Sequence, residues 1–167
     1  MEVRPAIIAD ASALARVHVA AWRAAYAGVM PDAYLAGLDE ARFARGWESA
    51  LGDGMTFVGI SDDGRIDGFA TAGAARDSDP PCTGQLWVLN LHPEAFGSGL
   101  ANALHTAATA WLVGDGHEAA YLWVARDNPR ARRFYEREGW SADGIAQEEP
   151  FGAVAVPEVR YVRRLRA

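Results

Sequence analysis

The sequence predicts an α/β (α+β) fold in which helices pack on the faces of one mixed β-sheet. Three observations support this class. Short runs with strand-like alternation recur along the chain, residues 100–112 have the apolar spacing of an amphipathic helix, and an Asp-Gly pair at 63–64 separates two strand-like runs. No internal repeat, low-complexity tract or long polar linker divides the 167 residues, so we expect residues 1–167 to form a single domain. The predicted element order is β-α-α-β-β-β-α-β-α-β-β.

The first part of the chain predicts an edge strand followed by helices. Val3 to Ile8 contains alternating apolar residues and Pro5, which favours a short strand at the edge of a sheet. Asp10 is a candidate side-chain cap for a helix that continues towards Gly28. The apolar positions that recur in this helix are Leu14, Val17, Ala21 and Ala25. Further helical stretches are predicted over residues 31–38 and 40–51.

The centre of the chain predicts a hairpin, a central strand and the strongest helix. Residues 55–61 and 65–74 flank Asp62-Asp63-Gly64, a tight-turn signal, so they are expected to pair as antiparallel strands. Residues 85–91 (QLWVLNL) are apolar on both faces, which favours a strand in the middle of the sheet. A helix over residues 100–112 follows, because its apolar residues recur with helical spacing.

The last part of the chain predicts three strands and one more helix. Residues 119–125 (AAYLWVA) form the fifth strand. The following helix begins at Pro129, a favoured first helical residue, and ends at Gly139. Strands over residues 140–147 and 156–165 complete the sheet. A second copy of the chain pairing with these short final strands would give a homodimer.

The composition excludes several kinds of chemistry. All 16 residues of the Lys+Arg count are arginine, so the chain has neither a Schiff-base lysine nor a Gly-Lys-Ser/Thr phosphate loop. Cys82 is the single cysteine, which rules out an internal disulfide and a Cys-x-x-Cys metal or redox pair. The 4 histidines are dispersed and lack the spacing of zinc ligands, so no metal is expected.

Charge and hydropathy indicate the compartment and the class of partner. The formal net charge of −6 argues against nucleic acid as the main partner, because a polyanion is bound through a basic surface. The N-terminal segment lacks the apolar run of about 7 to 15 residues that is typical of a signal peptide. No window approaches the roughly 18 consecutive apolar residues of a membrane span. We therefore expect a cytoplasmic protein that has neither a nucleic acid nor a membrane as partner.

A glycine-rich turn joins the central strand to the strongest helix. Gly97-Ser98-Gly99 leads directly into that helix, and no Asp, Glu, Lys or Arg lies between Gly97 and Gly114. Such a turn aims free amides and the positive end of the helix at one point, which favours an anionic ligand. In the alternative interpretation the glycines only permit a tight turn. A dinucleotide-binding fingerprint is excluded, since Asn102 stands where its third glycine is required.

Two motifs resemble those of the GCN5-related N-acetyltransferases, and the element order resembles that family over nearly the whole chain. In the family the fourth strand leads through His-Pro or Asp-Pro into Gln/Arg-x-x-Gly-x-Gly/Ala. Here His92-Pro93 precedes Phe96 to Ala101 (FGSGLA). The second family motif, Asn-x-x-Ala/Ser-x-x-Phe-Tyr-x-x-x-Gly-Phe, is matched by Asn128 to Trp140 (NPRARRFYEREGW).

The resemblance implies that acetyl-coenzyme A is the co-substrate and that an amine attacks it directly in a ternary complex. The backbone amides implied to bind its pyrophosphate are those of Gly97, Ser98, Gly99, Leu100, Ala101 and Asn102. Leu89, Asn90 and Leu91 are implied to bind the pantetheine arm and to polarise the thioester. Asn128 is implied to fix the pantetheine chain, and Tyr135 to protonate the coenzyme A thiolate as general acid. The residues alone also allow Asn128 to be a helix cap and Tyr135 a packing aromatic.

The chain departs from the family pattern at two places. Phe96 stands where the family has Gln or Arg, so the pyrophosphate loses a polar side chain, which an arginine from the second motif could replace. The arginines considered are Arg130, Arg132 and Arg133. Gln85 and Trp123 stand near positions where many relatives have a glutamate as general base. The alternative bases are Glu148, Glu149, Glu158, His92 and Glu94.

The acceptor is expected against the first helices and the last strands. Trp22, Tyr26 and Tyr34 are candidates for its pocket because aromatic faces attract alkylammonium groups, although core packing is the alternative. The sequence does not identify the amine. The alternatives are a small polyamine, an aminoglycoside, an amino acid, a peptide N-terminus and a protein lysine. A non-catalytic acyl-coenzyme A sensing module and a transferase for longer acyl chains are the alternative functions.

Overall fold

In the computed structural model, which describes residues 1–151 and 154–165, seven strands form one mixed sheet in the order β1-β2-β3-β4-β5-β7-β6. The strands are β1 (Glu2–Pro5), β2 (Met55–Ile60), β3 (Ile66–Ala74), β4 (Gly84–Leu91), β5 (Ala119–Ala125), β6 (Ser141–Phe151) and β7 (Val154–Arg164). The helices are α1 (Ala11–Ala25), α2 (Asp32–Ala36), α3 (Glu40–Ala50), α4 (Leu100–Gly114) and α5 (Pro129–Arg137). The predicted class, a mixed sheet flanked by helices, is confirmed.

The edge and centre of the sheet follow the predicted pattern. β1 lies at one edge and β4 in the middle, and β2 and β3 pair as the expected antiparallel hairpin. The predicted element order counts two helices after β1, but the helical stretches predicted over residues 31–38 and 40–51 are separate helices in the structure, α2 and α3. Asp39 caps α3 there by accepting a hydrogen bond from the Ala41 amide at 2.9 Å. β6 also continues to Phe151, beyond the predicted end at residue 147.

The N-terminal segment departs from the prediction at Asp10. β1 ends at Pro5, since Ile8–Asp10 forms a short 3₁₀ turn. Asp10 makes no side-chain cap hydrogen bond to α1, so that prediction is wrong. Its carboxylate instead accepts hydrogen bonds from the Arg4 guanidinium at 2.7 and 2.9 Å and from the Ile7 amide at 2.9 Å. The charged Arg4 guanidinium, which makes a bidentate contact, is a stronger donor than one backbone amide of the helix.

Two cores lie on opposite faces of the sheet. Phe69 packs with Leu14 and Val17 of α1, whereas the adjacent Ala70 belongs to the core that contains α4 and Tyr135 of α5. Successive strand residues point to opposite faces, which explains this division. Thus α1 with α3 covers one face, and α4 with α5 covers the other. In the described part of the chain no helix is long and apolar enough to cross a membrane.

The sheet opens between β4 and β5. These parallel strands pair only at Gly84 with Ala120 and at Gln85 with Tyr121, and then separate. In the pairing of β4 with β3, Thr71 faces Val88 while Ala72 faces Leu86, so Trp87 is an extra residue on β4. An extra residue bends its strand, and here it precedes the diverging part of β4. The resulting gap lies at the carboxyl ends of the two strands, where α4 and α5 begin.

Candidate active site

Two adjoining cavities occupy the gap between β4 and β5. The α4 cavity, about 370 Å³, lies beside the glycine turn at the start of α4. The β6–β7 cavity, about 430 Å³, lies against β6 and β7. The residues that line both are Ala25, Leu89, Asn90, Asn128, Ala131 and Tyr135. Two molecules bound in the two cavities would therefore contact the same six residues.

The glycine turn presents unpaired backbone donors to the α4 cavity. Gly97 and Gly99 have φ angles of 82° and 89°, a region that only glycine adopts freely. The Ser98 amide donates to the Ala95 carbonyl, and the Leu100 amide donates to Ser98 Oγ. Within the described chain the amides without a partner are those of Gly97, Gly99, Ala101 and Asn102. These same residues line the cavity.

Ser98 and Leu100 are the two members of the predicted pyrophosphate set that do not line the α4 cavity. Ser98 Oγ donates to the Ala95 carbonyl at 2.8 Å, which stabilises the turn itself. Leu100 is 1% exposed, and its side chain lies against the sheet at Gly59 and Gly68. Both residues thus hold the turn against the sheet, and their predicted contact with a pyrophosphate stays a prediction.

An arginine occupies the position opposite Phe96. The Arg130 guanidinium lies over the Phe96 ring at 3.7 Å from its centroid, and both residues line the α4 cavity. Arg132 instead donates to Tyr161 Oη at 3.1 Å and to the Arg126 carbonyl, and Arg133 is exposed. Of the three candidate arginines only Arg130 reaches the cavity. Among its described lining residues the charged ones are Arg130 and Arg137.

Tyr135 and two asparagines stand at the shared wall. Burial raises the pKa of the Tyr135 phenol well above its ordinary value, and in the described chain its hydroxyl has no hydrogen-bond partner. Asn128 Oδ1 accepts from the Ala131 amide at 3.0 Å, so Asn128 does cap α5. Asn90 Nδ2 is buried and has no hydrogen-bond partner among the described residues. Leu89 and Leu91, also in the predicted set, line the α4 cavity with Asn90.

Aromatic side chains form much of the β6–β7 cavity. Trp22 packs edge-on against Tyr26, with centroids 5.5 Å apart, and against Phe151 at 4.8 Å. Burial, together with the nearby carboxylates of Glu158 and Glu149, raises the pKa of Tyr26 to about 12. Tyr34, the third predicted aromatic, lies in a separate groove between α1, α2 and α3. Trp22 and Tyr26 are thus brought together beside Tyr135, and Tyr34 is not.

Three carboxylates line the β6–β7 cavity: those of Asp77, Glu149 and Glu158. Asp77 Oδ2 accepts from Trp123 Nε1 at 3.0 Å. Glu158 accepts from Gln147 Nε2 at 2.9 Å, and Glu149 accepts from the same amide at 3.4 Å. Burial and the two neighbouring carboxylates raise the pKa of Glu158, although the Gln147 hydrogen bond opposes this.

Of the five candidate bases, only Glu149 and Glu158 reach either cavity. Glu94 accepts from the Arg65 guanidinium at 2.9 Å on the opposite side of the turn, and His92 lies beside it. Glu148 is exposed on β6. Sequence reasoning missed Asp77, which lies in a polar loop without any motif. It noted Gln85 and Trp123 only as departures from the family, yet both line the β6–β7 cavity.

Comparison with known proteins identifies the class. Residues 19–140 match the acetyltransferase (GNAT) family, and the chain belongs to that family. It is 30% identical over 146 residues to the uncharacterized N-acetyltransferase YuaI of Bacillus subtilis (strain 168), covering 87% of this chain and 82% of that protein. It is also 35% identical over 100 residues to the mycothiol acetyltransferase of Rhodococcus jostii (strain RHA1). That match covers 59% of this chain and spans about a third, 32%, of the longer relative.

Solved structures agree on the fold. A GCN5-related N-acetyltransferase from Rhodopseudomonas palustris superposes with a TM-score of 0.76 at 21% identity, covering 98% of this chain and 95% of that one. The PaiA N-acetyltransferase of Thermoplasma acidophilum, solved in complex with coenzyme A, superposes with a TM-score of 0.70 at 19% identity. The match covers 98% of both chains.

Proposed function

We propose that this protein is an acetyl-coenzyme A-dependent N-acetyltransferase that transfers the acetyl group directly to an amine in a ternary complex. One observation carries the proposal: Tyr135 lies in the shared wall of two cavities of opposite character. One cavity offers free backbone amides and arginines, which suit an anionic coenzyme. The other offers carboxylates and aromatic rings, which suit an amine. Family membership and the coenzyme A complex of a structural relative support this reading.

The α4 cavity fits the diphosphate of coenzyme A. Four free amides converge at the N-terminus of a helix of 15 residues, where the helix dipole favours negative charge. Arg130 supplies a cation beside the turn, and stacking on Phe96 restricts its side chain before a ligand arrives. This arrangement compensates for the missing Gln or Arg of the motif.

The pantetheine arm of the coenzyme fits the wall that follows the glycine turn. Asn90 Nδ2 is a buried donor that requires an acceptor, and an amide carbonyl of pantetheine is a complementary group. Asn128 keeps its NH₂ group available while its oxygen caps α5. Leu89 and Leu91 provide apolar contact along the same path.

Tyr135 acts as the general acid of the transfer. Acetyl-coenzyme A supplies the acetyl group as an activated thioester. A phenol is protonated at neutral pH, so Tyr135 Oη carries a proton that it donates to the departing thiolate. Backbone N–H groups freed at the diverging end of β4 polarise the acetyl carbonyl.

The ammonium loses one proton to Glu158 before the neutral nitrogen attacks. The C–N bond then forms as the C–S bond breaks, and the second proton that leaves the nitrogen replaces the one that Tyr135 donates to the thiolate. Glu158 is half-buried in the β6–β7 cavity, and its raised pKa brings the carboxylate closer to the operating pH than an ordinary glutamate. Cys82 lines neither cavity, and burial raises the pKa of its thiol, so an acyl-cysteine intermediate is not part of the proposal.

Coenzyme A release tests the proposal. The purified protein is mixed with acetyl-coenzyme A and a panel of amines, free thiol is followed with a chromogenic reagent, and acetylated products are identified by mass spectrometry. We expect thiol release that depends on both an amine and the protein. Calorimetric binding of acetyl-coenzyme A without turnover on any amine would identify a non-catalytic acyl-coenzyme A module. Faster release with a larger thioester would identify a transferase for longer acyl chains.

The domain organisation, the location and the partners of the protein belong to the same proposal. A single domain over residues 1–167, a cytoplasmic location and the lack of nucleic-acid and membrane partners stay predictions from the sequence. A homodimer stays a prediction too. β6 is the edge strand at which a second copy would extend the sheet.

A further inference from the structure

We propose that the acceptor is a small aliphatic amine with at least one further amino group, a diamine or polyamine, whose second ammonium group lies against the carboxylates of the β6–β7 cavity. This inference rests on the function proposed above. It concerns the three carboxylates of that cavity, Asp77, Glu149 and Glu158, which face the same space.

The three carboxylates lack a cationic partner in the described chain. Their hydrogen-bond donors are uncharged: the Trp123 indole for Asp77 and the Gln147 amide for Glu149 and Glu158. None of them forms an ion pair with a described arginine or histidine. Partly buried carboxylates without a counterion are unfavourable, so a cationic ligand is the complementary occupant.

The reacting amine alone does not balance this charge. Its nitrogen must be neutral when it attacks, and a carboxylate that accepts its proton neutralises only itself. At least one carboxylate is then left for another positive group of the acceptor. His18, which also lines the cavity, does not provide that charge, since burial lowers its pKa to about 4.

The walls indicate an aliphatic ammonium compound of modest size. Indole and phenyl faces at Trp22, Trp123 and Phe151 attract alkylammonium groups and cover the carbon chain between them. The volume of about 430 Å³ lies in the range of small-ligand sites. A protein lysine would bring one ammonium group, and an amino acid would bring a carboxylate that the cavity repels.

Gln85 gives an independent indication that a polar ligand belongs here. It is 7% exposed and lines the cavity, and its Oε1 accepts from the Arg76 amide and from Tyr121 Oη at 2.9 Å each. Its NH₂ group has no partner among the described residues, so it can donate to a lone pair of a ligand in the cavity. A neutral polyamine nitrogen or a hydroxyl group provides one.

Three four-carbon amines test the inference, because they differ only at the far end: butylamine, 1,4-diaminobutane and 4-aminobutanoate. We expect kcat/KM to be about tenfold or more higher for the diamine than for butylamine, and lowest for 4-aminobutanoate. A linear triamine and 1,3-diamino-2-propanol distinguish a plain polyamine from a hydroxylated one. If kcat/KM for butylamine is within threefold of that for the diamine, or if it is highest for 4-aminobutanoate, the inference is wrong.

Neighbouring residues on β6 supply a matched pair of variants. Glu149→Gln removes a charge that faces the cavity, whereas Glu148→Gln removes one that is exposed outside it. We expect Glu149→Gln to weaken calorimetric binding of 1,4-diaminobutane, with coenzyme A present, by roughly tenfold and to reduce the diamine preference. Glu148→Gln should change neither. Equal effects of the two variants would show that general surface charge, not the cavity, attracts the diamine.

The two proposals fail in different ways. If amines are acetylated without preference for a second amino group, acetyl transfer stands and the diamine inference is wrong. If 1,4-diaminobutane binds in a manner that depends on Glu149 and no amine is acetylated, the diamine site stands and catalysis is wrong.

Discussion

The α4 cavity and the β6–β7 cavity share a wall and have opposite charge. The first is lined by backbone amides at a helix N-terminus and by Arg130 and Arg137. The second is lined by aromatic rings and by carboxylates from the loop after β3, from β6 and from β7. The donors of the first come from one continuous turn, whereas the carboxylates of the second come from segments far apart in sequence. Local geometry therefore builds the proposed coenzyme end, and tertiary packing builds the proposed acceptor end.

The opposite charges of the two cavities favour different ligands at the two ends of the cleft. An anionic coenzyme is favoured at the glycine turn, and a cationic amine is favoured beside Glu149 and Glu158. Tyr135 stands where the two meet, and its lack of charge at neutral pH avoids a preference for either ligand. In the proposed function this division keeps the two substrates apart, because each is disfavoured by the charge of the other's cavity.

Removing the Tyr135 hydroxyl tests the meeting point of the two cavities and has the largest expected effect. Tyr135→Phe should lower kcat by roughly 10²–10⁴-fold with little change in acetyl-coenzyme A affinity, because only the proton donor is lost. Steady-state kinetics and calorimetry measure the two quantities. Tyr34→Phe is the matched control, since that hydroxyl lies in a separate groove. A Tyr135→Phe enzyme with wild-type kcat would assign Tyr135 to packing.

Two histidines, the half-buried His18 and the buried His105, have lowered pKa values, and acid should destabilise the fold through both. His18 borders the β6–β7 cavity, and His105 lies behind α4, where its Nε2 accepts from Trp140 Nε1 at 2.9 Å. Burial lowers both pKa values to about 4, and Arg163 adds to the effect at His105. The unfolded chain then binds protons first as the pH falls below about 6.5, so stability is lost between about 6.5 and 4.

The loss should reach roughly 3 kcal/mol for each histidine at the lower limit of that range. The raised pKa of Glu158 has the opposite sign, because the folded state takes up that proton first, and it offsets part of the loss. Urea unfolding at a series of pH values measures the slope. His18→Phe keeps a ring among Trp22, Phe43 and Trp47 and should flatten the curve. An unchanged slope in His18→Phe would show that His18 does not titrate as proposed.

Removing Arg130 tests the charge of the α4 cavity. Arg130→Ala should weaken coenzyme A binding by about tenfold, since a charge-assisted contact to a phosphate is lost. Binding to the wild type should also weaken more steeply with added salt than binding to the variant. Arg133→Ala, which removes an exposed arginine on the same helix, is the control. If both variants weaken binding equally, α5 contributes only general positive charge.

The same contrast explains how much of the site was predictable. The glycine turn, α4, Asn128 and Tyr135 are readable because each depends on a short stretch of sequence with a defined period or spacing. The sequence does not tell which amides of a turn are free: those of Ser98 and Leu100, both in the predicted set, have partners within the turn. The extra residue Trp87 depends on strand register, and the position of Asp77 depends on loop packing. No local sequence pattern predicts either of them.

The stacking of Arg130 on Phe96 has the smallest expected effect and tests how the α4 cavity compensates for its lost motif residue. Phe96→Leu keeps an apolar side chain and removes the ring that lies 3.7 Å from the guanidinium. Stacking contributes about 0.5–1 kcal/mol at such a site, so coenzyme A affinity should fall two- to fivefold. The effects of Phe96→Leu and Arg130→Ala should not add, because once the guanidinium is gone the ring has nothing to orient. Calorimetry on the two single variants and the double variant measures this coupling. Fully additive effects would mean that Phe96 contacts the coenzyme itself, and that Arg130 binds phosphate without its help.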